Sequence, residues 1–129
     1  MAERLMIIEA VNRSWARETA AVPELWDRRI PSRGHCDVSS FVAWEHLGGE
    51  LVLGEVHRHG TFQEHHYWNR IDGVDLDLTR DQFRNGETIT EREVLSEPFL
   101  RANHGRMRPD LRDRIATFRR SVSEHLATG

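Results

Sequence analysis

The sequence predicts an α+β fold in which a cysteine-bearing helix packs on a small antiparallel sheet, with further helices at the N- and C-termini. Three observations predict it: apolar residues spaced three or four apart near both ends, a helical segment that begins at the single cysteine, and alternating segments joined by turn residues. The order α, α, β, β, β, α is typical of α+β domains. The 129 residues suit one domain, 1–129, which we expect to fold alone.

Helical patterns occur in three places. Over residues 3–18 the apolar stripe consists of Leu5, Ile8, Val11 and Trp15. A second helix is predicted to begin at Cys36, because Val38, Phe41 and Val42 share a face and Gly48-Gly49 supplies a left-handed stop. The C-terminal stripe follows a predicted N-cap, Asp110, and consists of Leu111, Ile115, Phe118 and Val122.

Strand patterns follow the second helix. ELVLGEVHRHG, EHHYWNRI and DLDLT are predicted as three successive strands, and Asp72-Gly73 between the last two is a strong hairpin signal. AAVPELWDRRIPSRG contains two prolines and a glycine, so we expect an irregular arm ahead of Cys36. The segment from residue 80 to 109 shows little periodicity, and we predict no element there.

Composition excludes several classes of function. The formal charge of −3 gives no electrostatic footprint for a nucleic-acid partner. All 18 basic side chains are Arg, which excludes Schiff-base, pyridoxal and P-loop chemistry that needs Lys. No apolar run is long enough to span a membrane, and the N-terminal segment carries Glu3 where a signal peptide has basic residues. We expect a cytoplasmic protein with no cofactor.

Cys36 is either a small core residue or a nucleophile, since one cysteine forms no internal disulfide. Its predicted place at a helix N-terminus favours the nucleophile, because the unpaired N–H groups and the helix dipole lower a thiol pKa. The N–H of Cys36 itself is then placed to donate to an oxyanion.

The hairpin register selects a base and its partner. A two-residue turn pairs Ile71 with Val74 and puts Asp77 diagonal to His66 on one face, within reach of long side chains. His65 then points away from Asp77, whereas a three-residue loop would reverse this parity. A carboxylate that accepts the ring N–H fixes the tautomer of a catalytic histidine.

The same parity divides the strands into two faces. The polar face, with His66 and Asp77, is expected to meet the Cys36 helix, and it consists of His66, Trp68, Asp75 and Asp77. The apolar face consists of Tyr67, Ile71, Val74, Leu76 and Leu78.

Three groups of motifs resemble the transglutaminase-like superfamily, in which a G-x-C at a helix start precedes an H-x-W-type strand and a D-x-T strand. The closer resemblance is to the bacterial YunG family, and it covers about residues 12 to 100, with Trp15, Thr19 and Trp26 upstream. The matching positions are Gly34-His35-Cys36, Gly48-Gly49, His66-Tyr67-Trp68-Asn69, Asp72-Gly73, Asp77-Leu78-Thr79 and Gln82-Phe83.

The resemblance implies a papain-like, transglutaminase-like core with Cys36 as nucleophile, His66 as base and Asp77 as orienter. It implies a cysteine hydrolase or acyltransferase that acts on an amide or thioester of a small-molecule or peptide-like substrate. His35 departs from the Gln that the family has beside the cysteine. His35, Trp26, Trp68 and Asn69 are the further candidates for oxyanion or substrate contacts.

Two other functions stay open at this point. One is a non-catalytic protein that binds a peptide or small molecule in an aromatic cleft of Trp26, Tyr67 and Trp68. The other is metal-dependent hydrolysis, since His57-x-His59 and His65-His66 supply potential zinc ligands, although their spacing matches no strict zinc pattern and we predict no metal site.

Overall fold

A computed structural model describes residues 2–96 and 109–128, and this part of the chain contains three helices and a four-stranded antiparallel sheet. The helices are α1 (Ala2–Arg13), α2 (Cys36–Leu47) and α3 (Pro109–Thr128). The strands are β1 (Glu50–Arg58), β2 (Thr61–Ile71), β3 (Val74–Leu76) and β4 (Thr88–Leu95), in the order β3-β2-β1-β4. The α+β class and the terminal helices are as the sequence predicts.

The β2–β3 hairpin has the predicted register. Ile71 pairs with Val74 and Asn69 pairs with Leu76, so Asp72 and Gly73 form a two-residue turn. Both turn residues have positive φ, 53° and 78°, which is the conformation that a type I′ hairpin turn requires. The sequence signal at this turn is therefore confirmed.

The third strand is shorter than predicted. Pairing between β2 and β3 ends at Asn69 and Leu76, and the chain leaves the sheet at Asp77. The expectation that DLDLT forms one continuous strand is therefore wrong for its last three residues. The first part of β2, residues 61–68, has β1 on one side and no described strand on the other.

A fourth strand lies where no element is predicted. β4 pairs antiparallel with β1, with Val52 opposite Val94 and Val56 opposite Ile89. Most of its side chains are exposed, so the strand carries little of the hydrophobic alternation by which strands are recognised. The rest of the unpatterned segment includes residues 97–108, which lie outside the described residues.

The main hydrophobic core lies between the three helices, and α2 contributes its inward residues to it. The buried cluster consists of Ile7, Ala10, Val11, Val38, Val42, Ile115, Phe118 and Val122. The C-terminal stripe is confirmed, although Asp110 lies inside the first turn of α3 rather than before it. In α1 the prediction is partly wrong, because the helix ends at Arg13 and Leu5 is 62% exposed.

The segment between α1 and α2 is irregular, as predicted. It contains only two short 3-10 turns, Arg17–Thr19 and Pro23–Leu25, before α2 begins. Gly34, in this arm, has a φ of 77°, and a Cβ there would lie 3.1 Å from the Ala21 backbone nitrogen. Only glycine suits this close approach of two backbone segments, which sets the path of the chain into Cys36.

The face of β2 that meets α2 is the opposite of the one predicted. Asn69 donates from Nδ2 to the Ser40 carbonyl in α2 at 2.9 Å, and Tyr67 packs with Trp44 of the same helix. His66 and Trp68 alternate with these residues, so they lie on the other face of the strand. Hairpin parity fixes which side chains share a face, but it does not determine which face a helix covers.

None of the described helices is both long and apolar enough to cross a lipid bilayer.

Candidate active site

Cys36 is the first residue of α2. His35 precedes the helix in a non-helical conformation, and the Ser39 N–H donates to the His35 carbonyl at 2.9 Å as the first helical turn closes. The N–H groups of Cys36 and Asp37 donate no hydrogen bond to another described residue. The prediction that the cysteine opens a helix, with free N–H groups beside its thiol, is confirmed.

The environment of the thiol favours its protonated form. Burial raises the pKa of Cys36 to about 12, and the charges of Asp37, Glu64 and Asp77 add to this increase. A backbone hydrogen bond from Tyr67 acts in the opposite direction. The direction is opposite to the lowered pKa that the helix N-terminus predicts, because desolvation and nearby carboxylates both disfavour the thiolate.

The contact with Tyr67 places the thiol beside β2. No described strand pairs with β2 at Tyr67 on the side away from β1, since β3 pairs only with residues 69–71, and there the Tyr67 N–H interacts with Cys36. Tyr67 directly follows His66 in the strand. The premature end of β3 thus leaves room for the cysteine next to the predicted base.

His66 and Asp77 form a buried pair. The distance between His66 Nε2 and Asp77 Oδ2 is 2.8 Å, and the side chains are 0% and 13% exposed. The other carboxylate oxygen, Oδ1, accepts the backbone N–H of Thr79 at 3.3 Å. This bond closes a tight turn from Asp77 to Thr79 and holds the carboxylate in place. The predicted contact between His66 and Asp77 is present even though the strand has ended.

Two aromatic rings hold the imidazole of His66. Trp68 stacks on it with ring centroids 5.6 Å apart, and Phe83 contacts it edge-on at 4.8 Å. Phe83 lies just after a short 3-10 turn, Arg80–Gln82, which follows Asp77 in the chain. The ring has little freedom to rotate, because it is packed on two sides and bonded at Nε2.

The second ring nitrogen of His66 lacks a partner. Nδ1 is buried and forms no hydrogen bond with any described residue, the Cys36 thiol included. A buried polar atom without a partner costs free energy and calls for an explanation. In the neutral ring, Nε2 carries the proton because it faces a carboxylate oxygen, and Nδ1 is then an acceptor.

An arginine of α3 holds the start of α2. Arg114 donates from both terminal nitrogens to Asp37, at 2.9 and 3.0 Å, and further donates to the carbonyls of Thr19 and Gly34. These contacts join the C-terminal helix, the irregular arm and the residue next to Cys36. Nothing in the local sequence marks them, because the partners are about 80 and 95 positions apart.

His35 does not face the thiol. Its Nδ1 lies 3.0 Å from the Arg33 carbonyl, and its Nε2 lies 2.8 Å from Thr19 Oγ1 and 3.4 Å from the Ala16 nitrogen. Burial lowers the pKa of His35, which favours the neutral ring. The proposed contact of this imidazole with an oxyanion or the thiolate is therefore replaced by a role in holding the arm against α2.

The other three candidate donors are also engaged. The Trp26 indole N–H donates to the Pro31 carbonyl at 3.0 Å, and the Trp68 indole interacts with Asp75, whose pKa is lowered mainly by hydrogen bonds from Arg70. Asn69 uses its amide nitrogen for α2, while its Oδ1 is buried without a partner. The two indole N–H groups are therefore not free donors, and the Asn69 amide is directed to α2.

A cleft of about 440 Å³ lies beside the site. Phe83, which contacts His66, forms part of its wall, and Gly34 reaches it two residues before Cys36. The arm contributes apolar side chains to the cleft, including Trp26. Of these arm residues, only Trp26 is assigned to a cleft from the sequence. Tyr67 and Trp68, the other members of the predicted aromatic cleft, do not line it.

The histidine-rich stretch shows no metal-binding arrangement. Among residues 2–96 and 109–128, no group of three or more His, Cys, Asp or Glu side chains is positioned to hold a metal ion. His57 lies 3.7 Å from Glu55, and His65 is exposed and contacts Phe62. The zinc alternative thus has no ligand set in the described part of the chain.

Comparison with known proteins identifies one family. The family described as YunG protein matches residues 3–127. "Uncharacterized protein YunG" of Bacillus subtilis (strain 168) is 29% identical over 117 residues, which cover 88% of this chain and 92% of that protein. No solved structure matches the chain. Because the family match extends over nearly the whole sequence, the chain belongs to the YunG family.

Proposed function

We propose that this protein is a cysteine-dependent hydrolase or acyltransferase, with Cys36 as nucleophile, His66 as general base and Asp77 as orienter. The observation that carries the proposal is the state of His66. Its Nε2 is bonded to Asp77, and its Nδ1 is a buried acceptor without a donor, beside a strand edge where the thiol lies. These are the properties of a general base whose acceptor nitrogen can take up a proton.

The thiol is protonated at rest, so the proton must leave during the reaction. When an amide or thioester carbonyl approaches, His66 Nδ1 accepts the proton of Cys36, and the sulfur forms a bond to the carbonyl carbon. Asp77 stabilises the imidazolium through Nε2. The imidazolium then protonates the leaving amine or thiol, and water or a second amine releases the acyl group from the sulfur.

The backbone at the start of α2 supplies the oxyanion donors in this proposal. The N–H groups of Cys36 and Asp37 have no other partner among the described residues, and they belong to a helix N-terminus. Such donors stabilise the negative charge on the carbonyl oxygen of a tetrahedral intermediate. This assignment replaces the four side chains suggested by the sequence.

The fold proposal follows the same line. A helix with its cysteine at the N-terminus, next to a strand with the histidine and a turn with the aspartate, is the arrangement expected of a papain-like, transglutaminase-like core. The order of the three residues along the chain supports this assignment. A small-molecule or peptide-like acyl donor in the cytoplasm remains the expected substrate.

Acylation of Cys36 tests the function. Purified protein is incubated with a small acyl thioester, and the peptide that contains residue 36 is analysed by mass spectrometry. We expect an acyl group on Cys36 in the wild type and none in Cys36→Ala. Absence of the adduct after both short and long incubations with acyl thioesters and activated esters would contradict the proposal.

A second function is favoured by a different observation. The pKa of about 12 and the missing hydrogen bond between the thiol and His66 Nδ1 are what a non-catalytic core cysteine would show. The protein would then bind a peptide or small molecule in the 440 Å³ cleft without altering it. Recovery of intact thioester after long incubation, with measurable binding, would favour this alternative.

A further inference from the structure

The cleft beside the candidate site combines an apolar wall with charges of both signs. Its apolar side chains come mainly from the irregular arm, where Val22 and Leu25 are 48% and 66% exposed. Its charged side chains are Arg33, Glu64 and Glu87. Exposed apolar residues that converge with a few polar groups in a concave surface are typical of ligand sites.

The charged groups are not used by the fold. Within the described residues, neither the Arg33 guanidinium nor the Glu64 carboxylate forms a hydrogen bond or ion pair, although Arg33 is close enough to influence the Glu64 pKa. From the described part of the chain, Glu87 accepts only the backbone N–H of Asn85, at 2.6 Å. Opposite charges that share a cleft and do not pair with each other leave both signs available to a ligand.

From these features we infer that the cleft binds a small zwitterion of the amino-acid type with an apolar side chain. The ammonium group would interact with Glu64 and Glu87, and the carboxylate with Arg33. The side chain would contact the apolar wall of Leu25 and Phe83. The volume of about 440 Å³ suits a free amino acid or a dipeptide.

The electrostatics of Glu64 agree with this ligand. Partial burial raises the pKa of its carboxyl, His66 and Arg33 act against this increase, and the nearby charge of Glu87 adds to it. A bound ammonium group would relieve the unfavourable interaction between the two carboxylates and lower that pKa again. Affinity is therefore expected to fall on acidification, as Glu64 takes up a proton.

The inference deepens the proposed function, since it names the class of compound that would reach Cys36 as acyl donor or acceptor. Its test is independent of acyl transfer, because binding is measured on Cys36→Ala. The probes are L-phenylalanine, phenethylamine, which lacks the carboxylate, and 3-phenylpropionic acid, which lacks the ammonium group. Isothermal titration calorimetry measures the dissociation constant of each.

We expect L-phenylalanine to bind about fivefold or more tighter than either partial analogue, the effect of one solvent-accessible ion pair. Arg33→Gln should abolish its advantage over phenethylamine, and Glu64→Gln should reduce its advantage over 3-phenylpropionic acid, since Glu87 still faces the ammonium group. Arg120→Gln and Glu124→Gln, exposed positions on α3, are matched controls that should change nothing.

Equal affinities for all three probes, or no binding of L-phenylalanine, would overturn the inference while leaving the acylation result untouched. Conversely, selective binding of L-phenylalanine without any acylation of Cys36 would support the zwitterion site and contradict only the acyl chemistry. The failure of one proposal is therefore distinguishable from the failure of the other.

Discussion

The two halves of the candidate site differ in how far they are prepared for reaction. His66 is bonded to Asp77 at 2.8 Å, packed between two aromatic rings and fully buried. Cys36 has its thiol in surroundings that raise its pKa to about 12. The base is thus fixed before a substrate arrives, whereas the nucleophile is held in its unreactive form.

This difference implies general-base activation rather than a resting thiolate–imidazolium pair. An ion pair at rest would require a hydrogen bond between the thiolate and Nδ1, and Nδ1 has no such partner among the described residues. In the absence of substrate, catalytic hydrogen bonds are often longer than in the reacting complex. We therefore expect the contact between Cys36 and His66 to form when a carbonyl group occupies the site.

The largest effect should come from His66→Gln. Gln retains a polar side chain but is no base, so acylation of Cys36 by a thioester should slow by about 10²–10⁴-fold. Single-turnover acylation, followed by mass spectrometry, measures the rate. His65→Gln is the matched control, because His65 is exposed on the opposite face of β2 and should leave the rate unchanged. Equal rates in both variants would remove His66 from the mechanism.

Asp77→Asn should slow the same reaction by about 10²-fold or more, because an amide no longer fixes the ring tautomer or stabilises the imidazolium. The substitution also allows the other tautomer, in which Nδ1 carries the proton and is unable to act as the base. Nitrogen NMR of the histidine ring detects this change. A variant that keeps the wild-type tautomer and rate would show that Asp77 has no role as orienter.

The scaffold around Cys36 should respond to Arg114→Gln. The substitution breaks the paired hydrogen bonds to Asp37 and those to the Thr19 and Gly34 carbonyls, and it leaves a largely buried carboxylate without its partner. We expect a loss of about 2 kcal/mol in the free energy of unfolding. Urea denaturation gives this value. A loss below the error of the measurement would mean that the network does not stabilise the helix start.

The smallest effect is expected for Arg119→Gln, also on α3. Arg119 forms a similar pair with Glu45 at 2.8 Å, but the two side chains are 40% and 24% exposed. Solvent screens such a pair, so the free energy of unfolding should fall by less than about 1 kcal/mol. If the free energy of unfolding falls as much as in Arg114→Gln, the contacts of Arg114 with the arm and Asp37 stabilise the protein no more than an exposed ion pair does.

Local sequence patterns predict the parts of the site that depend on neighbouring residues. The helix start at Cys36 is marked by a following apolar stripe and a Gly-Gly stop, and the hairpin is marked by Asp72-Gly73. Together with side-chain alternation, the hairpin predicts the contact between His66 and Asp77 before any tertiary structure is known. Each of these inferences uses residues fewer than about fifteen positions apart.

The parts that could not be predicted depend on long-range contacts. The face of β2 that α2 covers is decided by packing across the sheet, and the Arg114–Asp37 pair joins residues 77 positions apart. The thiol pKa depends on the sum of burial and three carboxylates, two of them from β2 and the turn after β3. A helix N-terminus alone predicts the opposite sign, because it takes no account of burial or of carboxylates from other elements.

The pH dependence of Cys36 reactivity tests the contrast between the two halves most directly. With iodoacetamide, which His66 does not assist, alkylation should rise about tenfold per pH unit with no plateau below about pH 10, because the thiolate fraction limits it. With a thioester, acylation at neutral pH should already be fast, because His66 removes the proton within the site. An alkylation plateau below about pH 8, or an acylation rate that follows the alkylation profile, would contradict a protonated thiol activated by His66.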